Sequence, residues 1–418
     1  MTIEAPLAEA LEWLFRTRAP AAVETKVREV MLDTFGCVLA ARRHPEATAF
    51  GKALEAADPG SASSEAAYFA AAACWDEACE GLARSHGRPG LSVLGACHAL
   101  ARNRPHSFDA VRTAYLTGYE VGARLGESMR VGPGMHVDGA WPCFGVAAAV
   151  VRLLGGTATQ ALAAIRIAAC QMPYSLYFPV AAGANARNTY LSHGAQLGML
   201  AASAALSGIA APQGVLEELR SRALASAPRG APVAPPGEWL IAETYLKPYA
   251  AVRHVHYGAA AAMALRPKLA GRLARISRIR LSTYAEAIAY CGNRAPHSVI
   301  QAQFSLSYGV ACALATGELG PDSYSMKDPE VLQLEKKIIL SEDQELTRRA
   351  KRGATLSIEF ETEKLENTVE RVTGDPDLPM TRDEILAKFA RYSGLSAARG
   401  REFLDAAGDR RFSEISPA

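Results

Sequence analysis

Aromatic residues are scarce in this sequence and net charge is almost absent. Phe, Trp and Tyr make up 7% of it, and 45 basic residues stand against 43 acidic ones, a formal charge of +2. That balance gives no long-range field for a polyanion or an anionic bilayer, so neither nucleic acid nor a membrane is an expected partner. No apolar run approaches the roughly 18 residues of a spanning helix; the run from Gly145 to Leu154 is broken by Arg152. The opening MTIEAPLAEALEWLF is acidic where a signal peptide is basic. The eight cysteines (37, 74, 79, 97, 143, 170, 291, 312) form no C-x-x-C pair and no zinc-finger spacing. They read as reduced core thiols of a cytoplasmic protein, with no metal site expected. A G-x-S-x-G elbow, an H-E-x-x-H pair, a P-loop and internal repeats are also missing, which disfavours the common hydrolase and nucleotide-binding readings.

What the sequence does have is small apolar residues in helical register. Apolar types fill 49% of 418 positions, a length beyond one ordinary core, so two domains are expected. Val27, Val30, Met31, Phe35, Val38 and Leu39 recur at helical spacing and predict a buried helix over 20–42. Ala-rich patterns predict further helices near 64–82, 91–102, 107–129, 141–155, 157–171 and 192–208. Residues 225–237, with four Pro and two Gly, break the pattern and place a domain boundary near 240. Beyond it, Ile276, Ile279 and Leu281 suggest a strand edge. Leu356 to Phe360 alternates apolar with polar, and a polar turn at 363–367 followed by 368–372 reads as a hairpin. An apolar helix is expected over 299–316. Thr381 has capping-box spacing for a helix to about 392, and another helix follows at 396–407.

One short run concentrates cationic and titratable side chains. Lys247-Pro-Tyr-Ala-Ala-Val-Arg253-His254-Val-His256-Tyr257 carries a Lys, an Arg and two His. Pro248 biases Lys247 toward a turn, and HYGAAAAMAL from His256 reads as a helix. Its positive N-terminal end beside His254 and His256 would suit a carboxylate or phosphate. The plainer alternative is a solvated basic turn capping that helix.

Five stretches, in order, resemble the MmgE/PrpD family, which includes 2-methylcitrate dehydratases, cis-aconitate decarboxylases and iminodisuccinate epimerases. Leu32 to Leu39 (LDTFGCVL) resembles the family's LDTLG helix, and Thr117 to Arg124 (TGYEVGAR) resembles GYEV..R. Gly134 to Gly145 (GMHVDGAWPCFG) resembles GFHPTGTFGAFG. The 247–257 run resembles KPYP..R..H, and Ala302 to Leu314 (AQFSLSYGVACAL) resembles AKFSLPYAVAAAL. The resemblance implies a mostly α fold: a large all-helical domain over 1–240 completed by 380–418, and a smaller α+β lid domain over 241–379. It also implies no metal or organic cofactor, a homodimer, and a site between the domains.

Family chemistry passes through a carbanion or enolate beside a carboxylate, which calls for fixed cations and a tunable proton donor or acceptor. By resemblance His136 is the acid or base of the GFH segment, Lys247 the lysine of KPYP, and Tyr308 the tyrosine of SLPYAV. His86, in SHGRPG, is placed at the HPG histidine with a spacing offset of a residue or two. The structural alternatives are a helix-start His136 satisfied by backbone, a surface Lys247 and a core Tyr308. The family's usual Asp ahead of that histidine has no direct counterpart in Trp75 to Gly81, where Asp76, Glu77 or Glu80 are the alternatives. Aligning Gly183 to Gly194 on GSMTKRLHPG puts Arg187 at a common Lys and Tyr190 at a common His. Arg187 would then be a carboxylate clamp without acid function. Asp138 replaces a Thr two residues from His136, where it can raise the histidine's pKa or repel a substrate carboxylate. Arg253, His254 and His256 are candidates for carboxylate binding or for hinge structure.

These residues point to a cofactor-independent lyase, a dehydratase or decarboxylase of a small di- or tricarboxylic acid, working by acid/base chemistry. An epimerase or isomerase of an amino- or imino-dicarboxylate is the second expectation. A non-catalytic carboxylate-binding member is the third.

Overall fold

The computed structural model describes residues 2–418. Helices take 59% of the chain and strands 9%, so the fold is mostly α with a smaller α+β region. The helical part is built on close backbone approach, which explains its Gly and Ala content. Helix Phe108–Ser128 crosses helix Pro142–Leu153 at Gly118 and Gly145, where a Cβ on either would fall 2.5 Å from the other's carbonyl oxygen. Helix Tyr190–Leu206 closes the layer with Gly198 against Val146. Any side chain at these glycines would force the helices apart.

Local signals set the helix ends. The Ser107 hydroxyl accepts from the Ala110 amide ahead of Phe108–Ser128, and Thr157 with Gln160 forms a capping box for Ala158–Ala169. The predicted capping box at Thr381 is present with Glu384 and starts helix Arg382–Ser393, which Gly394 ends at φ +74°. That helix returns to the first long helix, Ala21–Ala40, with Phe389 over Gly36. Lys388 donates to Asp33 at 2.5 Å and to the Ala78 carbonyl at 2.7 Å, all three buried.

The expected break at 225–237 is an irregular strap, clamped by the GYEVGAR segment. Arg124 donates to the Ala234 carbonyl (3.1 Å) and the Glu238 carbonyl (2.6 Å), while Glu120 accepts from the Leu240 and Ile241 amides (3.1 and 2.9 Å). Tyr119 and Thr244 share a hydroxyl contact of 2.5 Å.

The described residues form six strands, in chain order β1 (Met135–His136), β2 (Ser175–Leu176), β3 (Arg278–Thr283), β4 (Ile338–Glu342), β5 (Ala354–Glu359) and β6 (Lys364–Val369). β1 and β2 pair antiparallel; the others form one sheet in the order β4-β3-β5-β6, with β3 parallel to β4 and antiparallel to β5. Leu281, Leu356 and Ile358 are fully buried, and Leu281 packs on Gly258 of helix Val255–Leu265.

Several boundaries differ from expectation. The hairpin turn lies at 360–363 and residues 364–367 belong to β6, because the Phe360 amide donates to the Glu363 carbonyl (2.9 Å) and Lys364 to Glu366 alternate on a half-exposed edge. The helix expected over 299–316 is two, Val299–Gln303 and Leu306–Thr316, since Ser305 caps the second by accepting from the Tyr308 amide. The helix expected over 64–82 ends at Cys74, where the chain turns into the loop that carries the site.

Candidate active site

Residues 75–90 form an irregular loop pinned from every side. Gln303 donates to the Trp75 carbonyl (3.2 Å), His44 meets Asp76 (2.6 Å), and the Gly90 amide donates to Glu80 (2.8 Å). Gly81 and Tyr245 exchange backbone hydrogen bonds of 3.1 and 3.0 Å. Within this loop Glu77 and His86 have φ of +52° and +54°. Left-handed backbone costs a non-glycine residue about 1–2 kcal/mol. Strain of that kind persists where the surroundings over-determine it.

The turn at Glu77 sends its carboxylate inward as the hub of a buried cluster. Arg88 reaches Glu77 Oε1 at 2.7 Å, and Lys247 Nζ reaches both Oε2 and the Glu77 carbonyl at 2.8 Å. Arg187 also contacts Oε1. Arg88 turns its other edge to Asp138, with Nε 3.3 Å from Oδ1 and Nη2 against Oδ2. The Asp138 amide donates to His136 Nδ1 at 3.2 Å. The outcome is a continuous path Lys247–Glu77–Arg88–Asp138–His136, with Arg187 as a branch. Glu77, Arg88, Asp138, Arg187 and Lys247 are each buried.

Burial and charge set the protonation states. Burial lowers the His136 pKa; Asp138 pulls it back, Arg88 pushes it down, and the net is below the ordinary value. The imidazole is therefore neutral at pH 7. The Asp138 amide at Nδ1 leaves the ring proton on Nε2. For Asp138 burial acts upward, but Arg88 and His136 outweigh it and hold the carboxyl below its usual range. Burial lowers the Lys247 ammonium. Burial lowers Arg187 as well, yet a guanidinium stays charged.

β1 and β2 hold the histidine in place. His136 pairs with Ser175, whose hydroxyl donates to the His136 carbonyl at 2.8 Å. Tyr177 stacks on the imidazole (6.1 Å, 14°) and Tyr190 meets it edge-on (5.6 Å), its hydroxyl donating to the Leu176 carbonyl at 2.9 Å. Arg187 is fixed by the Cys74 carbonyl (3.1 Å) and Asn188 (2.9 Å).

Of the residues singled out from sequence, the structure brings His136, Asp138, Arg187, Lys247 and Tyr190 together. It treats the others differently. His86 is exposed and outside the cluster, while Arg88-Pro89-Gly90 supplies the triplet that leads into helix Leu91–Asn103. Arg88 thus stands where the family's HPG string has histidine. The Tyr308 hydroxyl donates to the Ser323 carbonyl at 3.1 Å and its ring stacks on Tyr324, contacts shared with no member of the cluster. The 247–257 run is not a solvated turn: Lys247, Arg253 and His256 are buried. His256 is the second residue of helix Val255–Leu265; its Nε2 donates to the Ala251 carbonyl (3.0 Å) and its buried Nδ1 has no partner among the described residues. Arg253 pairs with Asp375 and lies over the Tyr245 and Tyr257 rings. His254 bonds the Tyr284 hydroxyl at 2.6 Å.

Among Asp76, Glu77 and Glu80 the structure selects Glu77 for the cluster. Arg88 and Gln303 were missed. The signal for Arg88 was the following Pro-Gly; for Gln303 it was an amide in an apolar helix. Two cavities, of about 190 and 620 Å³, lie elsewhere, around Arg112 and Trp239 and around Lys52 and Tyr68. Among the described residues no group of three or more His, Cys, Asp or Glu is arranged to hold a metal ion, and no helix is long and apolar enough to cross a membrane.

A mostly helical protein with a smaller α+β region and a buried, cation-rich ionic cluster is the class that the fold and site define. The chain belongs to the MmgE/PrpD family, matching the MmgE/PrpD N-terminal domain over residues 6–225 and the C-terminal domain over 249–407. That family includes enzymes such as dehydratases. Lys247 falls between the two matched ranges. No curated protein matches the chain.

Proposed function

We propose that this protein is a lyase acting on a small di- or tricarboxylic acid through a carboxylate-stabilised carbanion. The observation that carries the reading is a buried cluster richer in cations than in paired carboxylates, beside a neutral imidazole: among the described residues Arg88, Arg187 and Lys247 form ion pairs only with Glu77 and Asp138, with His136 at the end of the path. A buried excess cation is costly unless an anion joins it, and a substrate carboxylate is the anion the family's chemistry supplies. His136 offers Nε2–H as hydrogen-bond donor to the developing enolate or to the leaving group. In decarboxylation the C–C bond breaks, carbon dioxide leaves, and the electron pair moves toward a remaining carboxylate before the carbon takes up a proton. That route needs donors and no free base. Dehydration also needs a base for the Cα proton, and the one amine of the cluster is tied to Glu77 as a donor. Loss of carbon dioxide therefore asks less of this arrangement.

A panel of small di- and tricarboxylic acids assayed for carbon dioxide and water loss tests the reading. Turnover should fall at least a hundredfold in His136→Ala, in the range of a lost acid–base contribution of roughly 10²–10⁴. Equal rates in variant and wild type would remove His136 from the mechanism.

A second reading, an epimerase, has one observation in its favour. His136 and His254 stand at the two ends of a ring series, His136–Tyr177–Tyr290–His254, with centroid separations of 6.1, 5.6 and 6.0 Å. An epimerase needs two titratable groups, and these two imidazoles are the ones that this aromatic series joins. In deuterated water, α-exchange with inversion and no loss of water or carbon dioxide would favour it.

A further inference from the structure

Helix Arg382–Ser393 buries one charged side chain, Lys388, in a stripe otherwise made of Ile385, Leu386, Phe389 and Tyr392. An ammonium in that position is desolvated, whereas an apolar residue of similar volume would pack there without that cost. Its donors are accounted for. Nζ gives one hydrogen bond to Asp33 Oδ1 at 2.5 Å and one to the Ala78 carbonyl at 2.7 Å, and it lies 5.3 Å from the centre of the Tyr392 ring. Asp33 keeps Oδ2 buried with no donor among the described residues, so the pair recovers only part of its desolvation cost. What the pair does gain is the Ala78 carbonyl, one residue beyond Glu77.

The loop that carries Glu77 is held at its start by side chains from four separate stretches of the chain. Arg187 takes the Cys74 carbonyl (3.1 Å), Gln303 the Trp75 carbonyl (3.2 Å), Lys247 the Glu77 carbonyl (2.8 Å) and Lys388 the Ala78 carbonyl (2.7 Å). The last two are ammonium groups on successive carbonyls. Together they fix the backbone at Glu77, whose φ of +52° persists only where the surroundings impose it. That turn sends the Glu77 carboxylate to Arg88, Arg187 and Lys247. Lys247 also bonds the carboxylate itself, at Oε2. Lys388 forms no hydrogen bond or ion pair with the cluster among the described residues, so its influence passes through Ala78.

We propose that Lys388, held by Asp33, is a positioning residue of the active site: by clamping the Ala78 carbonyl it keeps Glu77 in the left-handed turn that presents its carboxylate to the three cations. The C-terminal helix is then part of the site's construction as well as of the helical core. The kinetic arm of the proposal rests on the lyase reading above; the structural arm does not.

The test compares full-length wild type with Lys388→Met, which keeps the side-chain length and removes the ammonium, and with Lys388→Arg, whose fork can still reach a carboxylate and a carbonyl. Arg391→Gln is the control, an exposed charge on the same helix paired with Glu318 at 2.6 Å. Hydrogen–deuterium exchange over residues 75–90 should speed up about ten- to a hundredfold in Lys388→Met, the loss of one charge-assisted bond, and by less in helix Ala21–Ala40. Lys388→Arg and Arg391→Gln should exchange like wild type in that loop. The drop in urea midpoint caused by Lys388→Met should be at least halved in a Glu77→Gln background, because the two residues act as a unit. A lysine that only docks its helix gives the same drop in both backgrounds and leaves the loop protected; either result overturns the proposal. Should Lys388→Met fail to fold, Asp33→Asn carries the same exchange test with a smaller increase expected, and an unchanged loop overturns the proposal there too. On an acid that wild type turns over, Lys388→Met should lower kcat/KM at least tenfold and Lys388→Arg should recover it to within about threefold. Wild-type turnover by Lys388→Met overturns the positioning role and leaves the lyase reading standing. A loosened loop and a halved midpoint drop, in a protein that turns over no acid, leave the positioning role standing and remove the lyase reading.

Discussion

Glu77→Gln removes the one carboxylate that three buried cations share. Arg88 and Lys247 lose charge-assisted bonds of 2.7 and 2.8 Å, Arg187 loses its ionic partner, and only Asp138 remains opposite them. Taking one partner from a buried ion pair costs about 3–5 kcal/mol, because the other charge is left desolvated. With three donors facing an amide, the upper end of that range is expected. The Gln amide is nearly isosteric, so the loss is one of charge and not of packing. Urea unfolding reads it directly as a lower midpoint at unchanged slope. The companion variant Glu77→Gly vacates the carboxylate's place and suits a backbone at φ +52°. Formate or acetate can then enter as a free ligand, and at a hundred times its Kd it should restore about 2.7 kcal/mol. Chloride at equal ionic strength should not. A Glu77→Gln midpoint matching wild type, or a Glu77→Gly protein that ignores acetate, would refute the hub role.

Other outcomes follow from the same contacts. Asp138→Asn should lower the His136 pKa further, since Asp138 raises it against burial and Arg88; a histidine titration that moves upward would contradict the charge assignment. Burial raises the Glu80 carboxyl to about 8, so the folded state holds a proton that the unfolded state has released from about pH 4.5. Wild type should therefore lose stability relative to Glu80→Gln as pH rises from about 4.5 to 8, by roughly 5 kcal/mol in all, and no further above that. A flat difference across that window would refute it. Burial and nearby cations lower His254 to about 3, which works in the other direction. Its contribution is complete above about pH 6.5 and lost as pH falls toward 3, and His254→Phe should remove that part of the acid sensitivity. Tyr308→Phe should cost about 1 kcal/mol for the hydrogen bond to Ser323 and leave turnover within about twofold; a tenfold loss would show that the hydroxyl reaches substrate.

The legible parts were those that depend on local pattern. Helical periodicity located most of the long helices, proline and glycine marked the strap that Arg124 clamps, and alternation found β5. β4 was missed because Ile338 to Glu342 reads as the tail of helix Pro329–Lys337, and its strand character comes from lying parallel to β3 far away in sequence. The site was half legible for a related reason. His136, Lys247 and Arg187 sit in stretches whose spacing matches a family string. Glu77 depends on a left-handed backbone, and three loop carboxyl side chains of the same segment go to three different partners: Asp76 to His44, Glu77 to the cations, Glu80 to the Gly90 amide. No spacing rule separates them. His86 is the histidine of SHGRPG, yet it is exposed and lies outside the cluster. The physical anchor is Pro89-Gly90: Gly90 precedes helix Leu91–Asn103, and a Cβ there would fall 2.2 Å from the Tyr115 hydroxyl, so the chain can pass only as glycine. Counted back from that fixed point, the position facing Glu77 and Asp138 belongs to Arg88. A side chain that cannot release its proton at ordinary pH therefore stands beside Glu77 and Asp138, and in the cluster His136 is the neutral ring whose Nε2–H is free to donate a hydrogen bond.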